Sequence, residues 1–222
     1  MSFYTVLQFV SEETGIMWSW IAIGCSGLLH ISAAYRGPRW QFYLFKPLTI
    51  IFLLVLGFQG ADASWYSNLI LAGLALSLVG DIFLMLPTDR FVHGLIAFLA
   101  AHVLYSIAFW FNFDGSMVWW LPAMLFGAGI LVFLLLLPNL GKMMLPVAVY
   151  IAVIAQMAWA AGEFWLATGS TAALLAFVGA LFFMVSDTVL AFEKFKGTFV
   201  SATAIVMTTY FIAQSLIIAS VL

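Results

Sequence analysis

The amino-acid sequence predicts an all-α fold, a polytopic integral membrane bundle of about eight transmembrane helices. Of the 222 residues, 66% are hydrophobic and only 7% are charged, whereas about 25% of residues are charged in a typical soluble domain. The apolar residues form long runs, and each has the roughly 20 residues that a helix needs to cross the hydrocarbon core of a bilayer. The runs do not alternate between apolar and polar residues, so they do not predict transmembrane β-strands.

Short polar breaks separate the runs and indicate a single transmembrane domain over residues 1–222. Pairs such as Gly37-Pro38 and Pro138-Asn139 have the composition of turns. The first run is expected to be a retained span and not a signal peptide, because it follows acidic residues and no basic segment. The predicted spans cover residues 16–34, 41–58, 66–86, 92–111, 118–137, 143–161, 171–191 and 199–220.

Charge and cysteine content exclude several classes of function. The net charge of −2 leaves no basic surface for nucleic acid. Cys25 is the single cysteine, so neither an internal disulfide nor a cysteine-based metal cluster can form. The sequence also has no nucleophile elbow, phosphate-binding loop or zinc motif. These absences favour acid-base chemistry over covalent or metal-dependent mechanisms.

Basic residues predict the orientation of the bundle. Six of the seven basic residues fall in odd-numbered predicted loops: Arg36, Arg39, Arg90, Lys142, Lys194 and Lys196. Positive charge is retained on the cytoplasmic side, so we expect these loops to be cytoplasmic and both termini periplasmic. The chain carries no organelle signal, which favours the inner membrane of a bacterium.

The two halves of the chain resemble each other. Val79-Gly80-Asp81 lies near the cytoplasmic end of the third span, and Val185-Ser186-Asp187 lies at the same place in the seventh. Two four-helix repeats would have the same orientation, because each contains an even number of spans. The alternative is that two aspartates lie at equivalent depth without a repeat.

Three ionisable residues lie inside predicted spans, where a charge costs at least about 2.5 kcal/mol at a helix centre. They are Lys46, Asp81 and Asp187. Counting from the span ends places all three roughly 8 Å below the cytoplasmic surface, in one layer. A lysine beside two carboxyl groups can hold one as a carboxylate while the other stays protonated, which gives a general base and a general acid. A snorkelling lysine and a purely structural salt bridge are the alternatives.

Histidine and tyrosine residues are secondary candidates. His102 lies in the middle of the fourth span and shares a helix face with Tyr105. His93 lies close to the start of that span, where an interfacial role is more typical than a ligand. His30 lies in a stretch rich in small residues and is expected to pack. Other residues that could line a polar cavity are Tyr35, Tyr150, Tyr210 and Gln214.

Four segments together resemble the YhhN family of membrane proteins. They are Leu78 to Leu86, Phe91 to Tyr105, Lys46-Pro47-Leu48 and Phe183 to Asp187. The segments occur in the order typical of the family, within the same layout of eight spans. The combination is much more specific than any one segment.

The resemblance implies a lysoplasmalogenase, which hydrolyses the vinyl ether bond of a lysoplasmalogen. The products are a fatty aldehyde and glycerophosphoethanolamine or glycerophosphocholine. By the same resemblance Asp81 and Asp187 are the catalytic aspartates and Lys46 is a buried substrate-binding lysine. His93, His102 and Tyr105 match the fourth-span pattern, and with Tyr210 they are candidates for binding the lysophospholipid substrate within the lipid bilayer.

Vinyl ether cleavage fits two carboxyl groups. An acid protonates the β-carbon, a carboxylate stabilises the resulting cation, and water attacks it. No metal or organic cofactor is required. The sequence does not decide which aspartate is the acid, although the apolar neighbours Val79, Ile82 and Phe83 favour Asp81.

Other functions stay open. Paired membrane carboxylates and a possible repeat are also features of a proton-coupled membrane transporter of a small anion or lipid. An intramembrane aspartyl protease would resemble a Gly-x-Gly-Asp pattern, but Leu78 stands where the first glycine would be. A non-catalytic lipid-binding or scaffold protein would tolerate the loss of either aspartate.

Overall fold

The computed structural model describes residues 3–222, and their side chains from Gly15 onward. Within that range the chain forms eight α-helices and no strand. The helices are α1 (Phe3–Arg36), α2 (Arg39–Gly60), α3 (Trp65–Met85), α4 (Phe91–Phe111), α5 (Trp120–Leu140), α6 (Met144–Thr168), α7 (Thr171–Lys196) and α8 (Ala202–Ala219). One turn of 3-10 helix, Gly141–Met143, joins α5 to α6.

Seven segments of the described chain are long and apolar enough to cross a membrane, and the longest, Trp120–Thr168, contains both α5 and α6. Gly129 of α5 packs on Ile151 of α6. Leu121, near the start of α5, packs on Gly162, near the end of α6, so the two helices run antiparallel. The predicted all-α membrane bundle is confirmed. The predicted number of about eight spans is close to the seven segments, one of which folds into two helices.

The turn between α5 and α6 lies at Gly141, so its prediction at Pro138-Asn139 is wrong. Pro138 lies inside α5. The loss of one backbone hydrogen bond at a proline is tolerated in a membrane helix when neighbouring groups compensate. Gly141 reverses the chain instead, because its φ of 51° belongs to the left-handed region that favours glycine.

Three helices extend five or more residues past the predicted limits of their spans. α1 begins before residue 16, α6 continues past residue 161 to Thr168, and α7 continues past residue 191 to Lys196. Glu163 does not end α6, because its Oε1 accepts hydrogen bonds from Trp159 Nε1 (2.9 Å) and from the backbone N–H of Val118 (3.0 Å). Glycines with positive φ follow the last residues of α6 and α7 and stop these helices.

The outer surface of the bundle is apolar, as expected where lipid is the solvent. Large hydrophobic side chains are exposed on many helices, whereas several polar side chains are buried between them. Exposed examples from different helices are Leu28, Phe58, Ile96, Leu131 and Leu145. The pattern is the reverse of that in a soluble bundle.

Contacts between loops show which of them share an end of the bundle. Lys194, near the end of α7, forms an ion pair of 3.0 Å with Asp89, which precedes α4. The hydroxyl of Tyr35, near the end of α1, accepts a hydrogen bond of 3.0 Å from the backbone N–H of Ala204 in α8. Residues 37–38, 86–90 and 197–201 therefore lie together, and we call this side the basic end.

Glycines allow α3 and α4 to approach each other closely. A side chain at Gly80 would lie 2.6 Å from the ring of Phe98, and one at Gly73 would lie 2.7 Å from a ring carbon of Tyr105. Small residues at helix contacts permit such packing inside membranes. Because Gly80 immediately precedes Asp81, the contact between α3 and α4 also sets the rotation of α3 at the position of the aspartate.

Candidate active site

Asp81 is a fully paired carboxylate in the interior. Its Oδ1 lies 3.1 Å from the ammonium nitrogen of Lys46, and the two side chains are only 1% and 7% exposed. Its Oδ2 accepts a hydrogen bond of 2.7 Å from the hydroxyl of Tyr210. Both carboxyl oxygens accept, and one donor is a cation, so the geometry is that of an ionised aspartate.

A proline-containing turn of α2 presents Lys46. Pro47 lies inside α2 and has no backbone N–H, which frees a carbonyl one turn earlier. His30 of α1 lies against this part of α2, with Nδ1 3.1 Å from the carbonyl oxygen of Phe42. The carbonyl that Pro47 frees is that of Tyr43, so His30 contacts the neighbouring carbonyl, and this contact holds α1 beside the lysine.

Asp187 is held by a tyrosine instead of a lysine. The hydroxyl of Tyr150 donates a hydrogen bond to its Oδ2. Nε2 of His102 lies 3.9 Å from the same oxygen, beyond hydrogen-bonding distance. No lysine or arginine within residues 15–222 lies within 4.0 Å of the Asp187 carboxyl group. Over the same residues Oδ1 accepts no hydrogen bond, which leaves one carboxyl oxygen for another molecule.

Two cavities meet at Asp187. A polar cavity of about 500 Å³ is lined by Lys46, Asp81, Asp187 and Tyr210, and it extends to the loop before α4 at the basic end. An apolar cavity of about 380 Å³ lies between α4, α5, α6 and α7 and includes Asp187 and Tyr150. Both volumes are in the range of small-molecule sites. A molecule with a polar head and an alkyl chain would fill both cavities with its junction beside Asp187.

Asp81 and Asp187 receive the same pattern of contacts. Each is contacted from the preceding helix of its own half: by Lys46 on α2 and by Tyr150 on α6. Each is also approached from the last helix of the other half: by Tyr210 on α8 and by His102 on α4. This exchange of partners agrees with the predicted pair of four-helix repeats, with α1–α4 matching α5–α8.

Four of the predicted site residues line the polar cavity together: Lys46, Asp81, Asp187 and Tyr210. The layer predicted from residue counting thus brings both aspartates and the lysine to one cavity.

Three other predicted residues line neither cavity. His102 is fully buried behind Asp187, with its ring 4.6 Å from that of Phe183. Tyr105 lies in the core and donates a hydrogen bond of 2.8 Å to Gln214 Oε1. His93 is exposed, and its ring lies 5.5 Å from that of Phe83.

Two residues at the site were not expected to act there. Tyr150 holds Asp187, although the sequence marks it only as a residue that could line a cavity. His30 lines the polar cavity, although its surroundings predict a packing role. The available signal for His30 was its position, since an ionisable residue in the middle of a span is a functional candidate by default.

The arrangement provides two carboxyl groups with different partners in one cavity. Asp81, beside a cation, suits a base or a stabiliser of positive charge, and Asp187, with one unoccupied oxygen, suits a proton donor. No group of three or more histidine, cysteine, aspartate or glutamate side chains in the described part of the chain is arranged to hold a metal ion.

Charged residues surround the polar cavity at the basic end. Arg90, Asp89, Glu193 and Lys194 line it there. The hydrogen bond from Lys194, 3.0 Å long, lowers the pKa of the Asp89 carboxyl. Asp89 is 73% exposed and Lys194 36%, so water screens the pair. The entrance therefore offers both signs of charge to a polar head.

Comparisons with known proteins identify the family. The family model described as the YhhN family matches residues 41–221. The uncharacterized membrane protein YhhN of Escherichia coli O6:H1 is 37% identical over 205 residues, which cover 92% of this chain and 99% of that protein. Lysoplasmalogenase TMEM86A of Bos taurus is 37% identical over 195 residues, which cover 81% of this chain and 78% of that protein. Lysoplasmalogenase TMEM86B of Homo sapiens is 34% identical over 183 residues, which cover 82% and 76% respectively.

No solved structure matches the chain significantly. The family match covers α2 to α8, including both aspartates and the lysine, and it confirms the resemblance predicted from the segments around them. The chain belongs to the YhhN family.

Proposed function

We propose that the protein is a lysoplasmalogenase-like ether hydrolase that cleaves the vinyl ether bond of a lysophospholipid. Relatives named lysoplasmalogenase, at 34% to 37% identity, support a hydrolase acting on lysophospholipid in a membrane. The observation that carries the proposal is the junction at Asp187, where a polar and an apolar cavity meet beside a carboxyl group. A lysolipid has one alkyl chain and one polar head, which match the two cavities.

Asp187 is the acid and Asp81 the carboxylate in this proposal. Asp81 accepts hydrogen bonds on both oxygens and is paired with Lys46, so its contacts favour the ionised form. Asp187 accepts the Tyr150 hydroxyl on Oδ2 alone, as the carbonyl oxygen of a protonated carboxyl group would, and Oδ1 is left to carry the proton. This assignment reverses the slight preference for Asp81 that its apolar neighbours suggest.

The reaction consumes one water. Asp187 delivers its proton to the β-carbon of the vinyl ether, and positive charge develops at the carbon bonded to oxygen. The Asp81 carboxylate stabilises that charge and directs water to the same carbon, which forms a hemiacetal. The hemiacetal hydroxyl then gives up its proton as the bond to the glycerol oxygen breaks, and that oxygen takes up a proton, which releases the aldehyde and the glycerophospho head with its new hydroxyl. The proton lost by water replaces the one added to carbon, so both carboxyl groups return to their starting states.

Proton delivery to carbon has a direct signature. In D₂O the aldehyde should carry one deuterium on the carbon next to the carbonyl. Aldehyde formed in D₂O without deuterium at that carbon would contradict protonation of the vinyl ether.

The head group would lie toward the basic end in this arrangement, which we propose to be cytoplasmic in a bacterial inner membrane. Six of the seven basic residues, all of them in loops or at helix ends, would then follow the positive-inside rule. Labelling by a membrane-impermeant maleimide tests this in intact cells, after Cys25 is replaced by serine. Asp114→Cys should react from outside and Thr198→Cys should not; the opposite result would invert the orientation.

The test of function is aldehyde release by purified protein in detergent. The substrates are lysoplasmenylethanolamine and its saturated alkyl-ether analogue, and the proteins are wild type, Asp187→Asn, Asp81→Asn and Asp114→Asn. Asp114 lies in the exposed loop before α5 and lines neither cavity, so it is a matched control for the same substitution.

We expect aldehyde only from the vinyl ether, at the wild-type rate in Asp114→Asn and at a severely reduced rate in the two cavity variants. Absence of aldehyde release by folded wild-type protein would contradict the proposal. Proton uptake coupled to lipid or anion movement in liposomes would then favour the transporter.

A further inference from the structure

His30 is a buried histidine that the proposed reaction does not use. It belongs to α1, about six residues or roughly 9 Å before the basic end of that helix. Its side chain is 0% exposed, and the residue lines the polar cavity together with Lys46 and Asp81. Its ring packs between the rings of Phe42 and Phe211, at centroid distances of 4.7 Å and 5.9 Å. The ring is therefore held in one orientation.

The hydrogen bond at Nδ1 decides which nitrogen of His30 carries the proton. The carbonyl oxygen of Phe42, 3.1 Å from Nδ1, can only accept. Nδ1 therefore donates, and in the neutral ring Nε2 is left with a lone pair. Nε2 is buried and has no hydrogen-bond partner among residues 15–222. A buried acceptor without a donor is costly, and because His30 is among the residues that line the polar cavity, a ligand bound there can supply the missing donor.

The charges beside His30 limit what that donor can be. Lys46 lines the same cavity and is paired with Asp81, so a second cation deep in the cavity would be repelled. The ammonium group of an ethanolamine head fits the entrance better, where Asp89 and Glu193 lie. A lysolipid has one other donor near its reacting bond, the free hydroxyl on the middle carbon of glycerol. That hydroxyl lies between the ether, beside Asp187, and the phosphate, toward the basic end.

We propose that Nε2 of His30 accepts a hydrogen bond from the free glycerol hydroxyl of the lysolipid and thereby selects lipids that have this hydroxyl. The inference rests on the proposed function, because it uses the same placement of the substrate. An acylated lipid has no proton at this oxygen, and it also brings a second chain to a wall already filled by aromatic rings. A lipid without the hydroxyl leaves Nε2 buried and unpaired, so its kcat/KM should be lower than that of the hydroxyl lipid.

The test compares two vinyl ether lipids with a choline head, so that the hydroxyl is the only hydrogen-bond donor. One lipid is lysoplasmenylcholine and the other is its analogue with hydrogen in place of the hydroxyl. The measured quantity is the ratio of kcat/KM for the two lipids. Burying an unpaired acceptor should give a ratio on the order of 10 to 100 in favour of the hydroxyl lipid for wild type.

His30→Asn is the informative variant, because its amide nitrogen can keep the donation to Phe42 while Nε2 is lost. The ratio should fall to about one in this variant. Ser26→Ala is the matched control: Ser26 also donates from α1 to a carbonyl of α2, that of Phe45 at 3.2 Å, but it does not line the polar cavity. This variant should keep the wild-type ratio.

The assignment is overturned if wild type cleaves both lipids equally, or if His30→Asn keeps the wild-type ratio. Should His30→Asn fail to fold, equal cleavage of the two lipids by wild type would still overturn the assignment. Failure of the proposed function is distinguishable, since neither lipid would then release aldehyde. Thermal stabilisation of wild type and of His30→Asn by the two lipids would in that case test the hydrogen bond. A preference of wild type for the hydroxyl lipid that His30→Asn loses supports it, and equal stabilisation of wild type, or a preference that His30→Asn keeps, overturns it.

Discussion

Asp81 and Asp187 occupy matching positions in the two halves of the molecule, yet their partners differ. Lys46 and Tyr210 contact Asp81, whereas Tyr150 and His102 lie at Asp187. One carboxylate has a cation 3.1 Å away, and the other has a hydroxyl in the equivalent place. In the proposed mechanism, this difference of partner on the preceding helix separates an ionised carboxylate from a carboxyl group that holds a proton.

The comparison also explains how two similar groups can take opposite roles in one cavity. Two unpaired carboxylates at this depth would each carry a large desolvation cost. Pairing one with Lys46 offsets its charge, and protonating the other removes the need for a second cation. In the proposed mechanism this arrangement gives one base and one acid, as pairs of carboxyl groups do in many hydrolases.

The largest expected effect follows from removing the proton of Asp187. Asp187→Asn should lower kcat by roughly 10³- to 10⁴-fold, the upper range for a general acid, because an amide cannot deliver a proton to carbon. KM should change little, since the amide still accepts the Tyr150 hydrogen bond. Steady-state aldehyde release measures both constants. An Asp187→Asn variant that keeps more than a tenth of the wild-type kcat would contradict the acid assignment.

The next largest effect is on the free energy of unfolding, which should change by different amounts when each aspartate is replaced. Asp81→Asn or Lys46→Met alone should lower the free energy of unfolding by about 3 to 5 kcal/mol, because each leaves a buried charge without its partner. The double variant should recover most of the loss, since no isolated charge is left. Asp187→Asn should cost less than about 1 kcal/mol, because it replaces one neutral group by another. Thermal unfolding in detergent tests the set, and equal losses for Asp81→Asn and Asp187→Asn would contradict the difference in charge.

The two tyrosines should differ by a smaller factor. Tyr150→Phe removes the one hydrogen bond that Asp187 accepts from residues 15–222, worth about 1.4 kcal/mol, and kcat should fall about 10-fold. Tyr210→Phe should lower kcat only about 2-fold, because Lys46 still holds Asp81. The KM of both variants should stay near that of wild type. The reverse order of the two effects would show that Asp81, not Asp187, depends on its tyrosine.

The smallest effect concerns the exposed pair at the basic end. The hydrogen bond from Lys194 lowers the pKa of Asp89, so the pair stabilises the fold at pH values above the usual pKa of an aspartate. That contribution disappears as the pH falls through the lowered pKa of the folded state. Asp89→Asn should therefore reduce the melting temperature slightly at pH 7 and not at all at pH 2. A difference between wild type and Asp89→Asn that grew on acidification would contradict the sign.

The fold could be predicted because the bilayer leaves the chain few options. Apolar runs of span length must be helices in hydrocarbon, and short breaks between them force neighbouring helices to be antiparallel. The limits of the helices were less predictable. Pro138 has the composition of a turn but lies inside α5, and Glu163 looks like the end of a span until the partners of its carboxylate, Trp159 and Val118, are known.

The depth of the site residues in the membrane could be predicted from the sequence, but the contacts between their side chains could not. Counting residues along helices is enough to bring Lys46, Asp81 and Asp187 to one cavity, because the rise per residue is constant. Which side chains meet there depends on how each helix is rotated against its neighbours, and this follows from packing between distant residues. His93 consequently lies outside the site, whereas His30, on the first helix, lines the cavity.

The most direct test of the central difference is chemical rescue by acetate. Asp187→Ala and Asp81→Ala are assayed for aldehyde release at several pH values around the pKa of acetic acid, with total acetate varied at each. We predict that rescue of Asp187→Ala follows the concentration of neutral acetic acid, and that rescue of Asp81→Ala, beside Lys46, follows the concentration of the acetate anion. The opposite dependence would contradict the proposal that Asp187 holds the proton and Asp81 the charge.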